Sequence, residues 1–249
     1  MHSKSERAPE DDAPVTTPRQ ALLGALAASV IIGNFVPFGS IALYPFTLMA
    51  TWVHEMGHGI AALAVGGAFE RLDVFADASG LAHTRYQPGA RGGVVAIAGM
   101  LAPPLIGAIT LGFARGPRRA RIALAVLSLA MLASCVSWVR SIAGWIAVPL
   151  VALALGAFAR WGSPRERMIC AQFVGLRLAV DTVTRIDYAF TSEAVIDGVR
   201  RTSDVAAITA SWGAILPVWS LVIALTSFAL VALGLWAAWR APKRAKDQR

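Results

Sequence analysis

Ile41-Ala-Leu-Tyr-Pro-Phe-Thr-Leu-Met-Ala-Thr-Trp-Val-His54-Glu55-Met56-Gly57-His58-Gly-Ile-Ala-Ala-Leu-Ala-Val65 is apolar over most of its length and runs into Gly66-Gly67. As a helix it is long enough to cross a bilayer, which takes about 20 residues, and the two glycines are a natural terminator. Its polar groups are ordered. Thr47, Thr51, His54, Glu55 and His58 recur at i, i+4, i+7, i+8 and i+11, so they form one stripe on an otherwise apolar cylinder. Ionisable side chains at bilayer depth are costly, and where they persist they mark a functional interior.

The chain around this stretch has the same character. Of its 249 residues 56% are hydrophobic and only 15% charged, against about a quarter charged in soluble domains. The apolar residues fall in blocks, which predict spans near residues 21–33, 41–65, 93–114, 119–139, 141–160, 168–190 and 213–239. Pro103-Pro104 and Pro149 are expected to kink two of them, which membrane helices tolerate when neighbours satisfy the freed carbonyls. After the His-motif block, Phe69–Tyr86 mixes polar and apolar residues and is broken by Asp77-Ala-Ser-Gly80, which reads as a β-hairpin. The fold class is therefore an all-α polytopic membrane protein. It has about six to seven transmembrane helices, with a small β-hairpin after the His-motif helix.

Residues 1–19 are polar, with Pro9, Pro14 and Pro18, and read as a disordered tail. Residues 20–239 form one membrane-embedded domain, and residues 240–249 a basic tail. The net charge of +8 does not point to nucleic acid, because the basic tail carries no interleaved aromatics. The basic residues sit between apolar blocks instead, at Arg115, Arg118, Arg119 and Arg121, at Arg160, Arg165 and Arg167, and in the C-terminal tail. That is the distribution of cytoplasmic loops meeting an anionic lipid bilayer. The expected location is a bacterial-type plasma membrane with the C-terminal tail cytoplasmic. Cys135 and Cys170 have neither disulfide nor zinc-site spacing and read as small buried apolar residues.

His54-Glu55-Met56-Gly57-His58 is an H-E-x-x-H sequence. On a helix its two imidazoles share a face and can reach one metal ion, with the Glu beside them as general base. A catalytic zinc of this kind takes three protein ligands. No other His lies in a span, so a carboxylate is expected, and Asp181 is the foremost candidate. It falls mid-block, in a second polar stripe of Arg177, Asp181, Thr184 and Tyr188. The alternative for Asp181 is an ion pair with Arg177 or Arg185. Glu193, Asp187 and Asp197 compete for the ligand role but read as edge or loop residues. Ser203 and Asp204, ahead of an apolar run, read as a helix N-cap, and His83 as a surface residue of the hairpin.

With these residues in view the chain resembles the site-2 protease family of intramembrane zinc metallopeptidases, in its compact branch without a PDZ domain. The matching features are His54–His58 with Gly66-Gly67 after it, the short polar segment, and Ala98-Gly99-Met-Leu-Ala-Pro103. Arg177-Leu-Ala-Val-Asp181 and Ser203-Asp204-Val-Ala-Ala complete the match. The resemblance implies zinc held by His54, His58 and Asp181, Glu55 as catalytic base, and membrane-spanning protein substrates held in extended form by the hairpin. The family's Asp precedes a Gly, whereas Asp181 is followed by Thr182 and the Asp-Gly pair is Asp197-Gly198. Three other functions use the same residues: a metal-ion transporter, a prenyl-processing type of membrane zinc protease with Glu193 as ligand, and an inactive relative. A transporter is expected to carry acids or His on several spans, and residues 122–139 and 141–159 have none.

Overall fold

The computed structural model describes residues 17–184 and 188–240. In chain order it comprises α1 (Pro18–Asn34), α2 (Gly39–Ala64), β1 (Ala68–Val74), β2 (Gly80–Arg85), α3 (Ala90–Phe113), α4 (Pro117–Ser137), α5 (Ile142–Trp161) and α6 (Pro164–Thr184). A 3-10 turn (Tyr188–Phe190), β3 (Glu193–Ile196), β4 (Val199–Thr202), α7 (Asp204–Trp212) and α8 (Leu216–Trp239) complete it. The polar N-terminal stretch and the basic tail lie almost wholly outside the described residues. So do Arg185 and Asp187.

The His-motif stretch folds as one helix, α2, and ends where the glycines require. Gly66 has φ 78°, a left-handed conformation that glycine adopts without strain. The N–H of Gly67 reaches back to the Ala62 carbonyl at 2.8 Å. Reversing there, the chain forms the expected antiparallel hairpin, with Leu72 opposite Ala82 and Val74 opposite Gly80. It lies against α2 rather than projecting from it. Thr51 donates to the Ala78 carbonyl at 2.7 Å and Tyr44 to that of Ala76. The outer edge of β1 is closed by the α4–α5 connection: Leu72 N–H donates to Trp138 O at 2.8 Å, and Arg140 N–H to Leu72 O at 3.0 Å. Leu72, Val74 and Val139 are wholly buried. An open strand edge cannot sit in hydrocarbon with its backbone groups unpaired, and here neighbouring protein pairs it.

At the centre stands α3. Small residues bring three helices onto it: Gly57 of α2 abuts Ala98 and Gly99, Gly107 abuts Ala179 of α6, and Gly234 of α8 abuts Ala108. Such residues let membrane helices approach backbone to backbone. Charged groups collect where α3 and α8 end and α1 begins. The Arg19 side chain donates to Trp239 O at 3.0 Å, Arg115 to Ala237 O at 3.3 Å, and the Arg240 guanidinium lies 3.6 Å from the Trp236 ring centroid. Paired Arg and Trp of this kind suit a membrane–water interface.

Four helices among the described residues, α3, α4, α5 and α8, are long and apolar enough to cross a membrane. The sequence reading expected six to seven spans. Three elements account for the difference. α1 is shorter. α2 carries the His motif, and α6 carries Arg165, Glu166, Arg167, Arg177 and Asp181, so both fall below the apolar character of a lipid-facing span. α6 beyond its first turn and the central part of α2 are largely buried. Met49 of α2 and Met168, Gln172 and Leu178 of α6 are fully buried, whereas Val136, Leu150, Leu225 and Leu233 of the apolar helices face outward.

Beyond α6 the structure differs from the expected simple loop. β3 and β4 form a second antiparallel hairpin about Asp197-Gly198. Both turn residues have positive φ, 49° and 73°, as a two-residue type I′ turn requires. α7 begins at once after β4, and Ser203 is its N-cap, the side chain accepting the Ala206 N–H at 3.2 Å.

Candidate metal centre

His54 and His58 are one helical turn apart on α2, and their Nε2 atoms lie 3.0 Å from each other. The carboxylate that joins them belongs to Asp204. Its Oδ2 is 3.1 Å from His54 Nε2 and its Oδ1 is 3.3 Å from His58 Nε2. Among the described residues these three form the group of His, Cys, Asp and Glu side chains able to hold a metal ion together.

Asp204 reaches this place through Ser203, which is wholly buried. Besides capping α7, Ser203 donates its hydroxyl to Thr191 O at 2.6 Å and its backbone N–H to Ser192 O at 3.0 Å. The β3–β4 excursion is thereby closed at its base. Asp204 becomes the first residue of α7, where the positive end of the helix favours a carboxylate.

The donor set fits a metal ion. His58 Nδ1 lies 2.9 Å from the Val95 carbonyl, which only accepts, so in neutral His58 the proton is on Nδ1 and the Nε2 lone pair points into the cluster. There it meets a carboxylate that also only accepts. Lone pairs at 3.3 Å repel unless a metal ion or a proton lies between them, and in neutral His58 the ring proton is on the other nitrogen. Tetrahedral zinc with bonds of about 2.0–2.2 Å has ligand–ligand edges of roughly 3.3–3.6 Å. The observed separations of 3.0–3.3 Å are within a few tenths of an ångström of that.

Glu55 is adjacent to the cluster and also reaches the hairpin. It is buried, and its Oε2 accepts the Ala82 backbone N–H at 2.7 Å. Leu72 spends its N–H and C=O on residues 138–140, so its partner Ala82 points its own N–H away from β1, toward α2. Gly80 allows the approach: a Cβ there would lie 2.8 Å from Glu55 Cγ and 2.7 Å from Thr51 Cγ2.

The structure thus brings together His54 and His58 as the sequence reading expected, with Glu55 beside them. It does not bring Asp181, which lies half-buried on α6 outside the cluster. The carboxylate in that place is Asp204, read from sequence as part of a helix cap. Half of that reading holds, because Ser203 does the capping and leaves the next residue to face the imidazoles. Glu193 is paired with Arg200 at 3.2 Å on the second hairpin. Asp197 forms that hairpin's turn, its N–H directed at Ser79 Oγ at 3.2 Å. Neither joins the cluster. His83, expected at the surface, is half-buried and lies 2.9 Å from Asp73, which Arg71 also contacts at 3.2 Å. Cys135 is buried and neither cysteine is disulfide-bonded.

A family model described as Peptidase M50B-like matches residues 24–234. No curated protein and no solved structure gives a match.

Proposed function

Because the chain belongs to the Peptidase M50B-like family, the site-2-protease-like group, we propose that it is an intramembrane zinc metalloendopeptidase acting on membrane-spanning proteins. The observation that carries this reading is the convergence of His54, His58 and Asp204 beside Glu55 among membrane helices. These three residues would hold zinc. A zinc ion there would supply Lewis acidity toward a peptide carbonyl and make a water more acidic.

The chain's own groups do the rest. Glu55, next to His54 on α2, accepts a proton from the attacking water. It delivers that proton to the amine nitrogen as the carbon–nitrogen bond breaks. The Ala82 N–H orients the carboxylate for this work. Beyond Glu55, β2 offers backbone groups to an extended segment, the β-addition mode by which a substrate helix is held once unwound. We also place the arginine-rich end, where α3 and α8 finish, on the cytoplasmic side of the membrane, in keeping with the retention of Arg and Lys there.

The deciding experiment co-expresses the chain with single-span substrates and measures their cleavage. Wild type cleaves, and Glu55→Gln keeps its zinc but loses at least a hundredfold in rate, the scale for removal of a general base. Zinc flux into proteoliposomes that depends on Glu55, with no cleavage of any substrate, overturns the reading in favour of transport.

A further inference from the structure

His58 has two neighbours on α3 that ligation by itself does not require. One is the Val95 carbonyl, 2.9 Å from Nδ1. The other is Gly99, one turn further along. A Cβ on Gly99 would lie 2.1 Å from His58 Cε1, 2.2 Å from Nε2 and 2.5 Å from Nδ1, so the imidazole rests against a bare Cα. Gly57, next to His58, makes this possible by letting α2 and α3 touch. A Cβ there would lie 2.7 Å from both Ala98 O and Ala102 Cβ.

We infer that the Val95–Gly99 turn of α3 is the positioning wall of the metal centre, with the Val95 carbonyl fixing the tautomer of His58 and Gly99 fixing where its ring stands. The inference rests on the metal-centre reading above. Its physical basis is directional. A metal-binding imidazole needs its second nitrogen held by an acceptor so that the first presents its lone pair. It also needs its ring held to within about 0.5 Å of the productive position. Any side chain at residue 99 occupies the ring's place and pushes Nε2 away from His54 and Asp204. Gly99 lies inside a regular helix without positive φ, so the backbone itself admits alanine. The ring is what excludes it.

The full-length chain in detergent tests this. Zinc affinity is measured by chelator competition, and the visible spectrum is recorded after cobalt replacement, for wild type, Gly99→Ala and Gly107→Ala. Gly107 is the control. A Cβ there would lie 2.3 Å from the Ala179 backbone nitrogen, an equally severe clash on the same helix at a helix crossing away from the metal site. Gly99→Ala is expected to bind zinc about ten- to a hundredfold more weakly, the range for loss of a residue that orients a ligand, with an altered cobalt spectrum. Gly107→Ala is expected to retain both properties. Wild-type zinc affinity and cobalt spectrum in Gly99→Ala overturn the inference, and so does an equal loss in Gly107→Ala. If Gly99→Ala does not accumulate, nitrogen-15 histidine spectra of the zinc-loaded wild type decide. A proton on His58 Nδ1 supports the inference and its absence refutes it. A wild type that holds no zinc at all removes the metal-centre reading, a failure distinct from the others.

Discussion

Glu55 Oε2 accepts the Ala82 backbone N–H at 2.7 Å, so the acid of the motif is held by the hairpin while its two histidines are held by α3 and α7. One short stretch of α2 is thereby gripped from three directions by elements far apart in the sequence. Glu55 can be disturbed without touching the histidines.

Gly80→Ala does this. The added methyl would stand 2.8 Å from Glu55 Cγ, so the carboxylate must leave the Ala82 N–H. Cleavage is expected to fall at least tenfold, part of the hundredfold or more that a positioned base contributes, while zinc content stays at the wild-type level. Metal analysis of the purified variant beside a cleavage assay checks it, and loss of zinc would show that the hairpin supports the whole centre.

Asp204→Ala and Asp181→Ala separate the two acids. Asp204→Ala is expected to lose most of the zinc, because a two-histidine site lacks the third ligand of a catalytic centre. Asp181→Ala keeps it, since Asp181 lies outside the cluster. Zinc stoichiometry measured after gel filtration reads both outcomes, and the reverse pattern would return Asp181 to the ligand role.

Ser203→Ala removes one hydroxyl that closes a loop and caps a helix. The hydroxyl's bonds to the Thr191 carbonyl and the Ala206 N–H are lost, at a cost of about 1 kcal/mol, the usual scale for removal of a helix cap. The melting temperature in detergent falls, and zinc affinity falls with it as Asp204 loosens. A stability loss with unchanged zinc affinity would mean that Asp204 is placed by something other than its cap.

Ser79 joins the two hairpins. Its hydroxyl accepts the Asp197 N–H, and its O–H and N–H donate to Asp77, which they hold below the ordinary carboxylate value of 3.8. A depressed carboxyl contributes its stability above that value and loses it as pH falls through the folded value. Acidification below about pH 4 should therefore loosen the first turn. Ser79→Ala should loosen both turns at neutral pH, seen as faster amide exchange at residues 77–80 and 196–198. Exchange unchanged from wild type would show the link to be without consequence.

The His motif, the first hairpin and the four apolar spans were legible because each is a local pattern: an i, i+4 pair, a break at Asp77–Gly80, and blocks of residues long enough to span. Asp204 was not legible, because 150 residues separate it from His54 and no periodicity reports a contact over that distance. A signal did exist. Asp197-Gly198 between short runs marks a hairpin, and a hairpin there returns the chain so that Ser203-Asp204 starts a helix near where the previous one ended. Four of the expected spans are long and apolar enough to cross a membrane by composition alone; α2 and α6 fall short of that because they carry the His motif and the charged residues of α6.

The inward placement of α2 has a consequence for how the molecule is made. Synthesis delivers this helix before α3, α6 and α7, the partners of its polar face, and a segment carrying two His and a Glu partitions poorly into lipid alone. It must wait at the site of insertion until α3 arrives. Its histidines then wait longer, because Asp204 is translated 150 residues after His54. A nascent chain that lacks α7 holds only the two histidines of the proposed metal site, so on that reading stable metal loading must await the synthesis of α7. Truncation between α6 and α7 would leave the two histidines without the carboxylate that faces them.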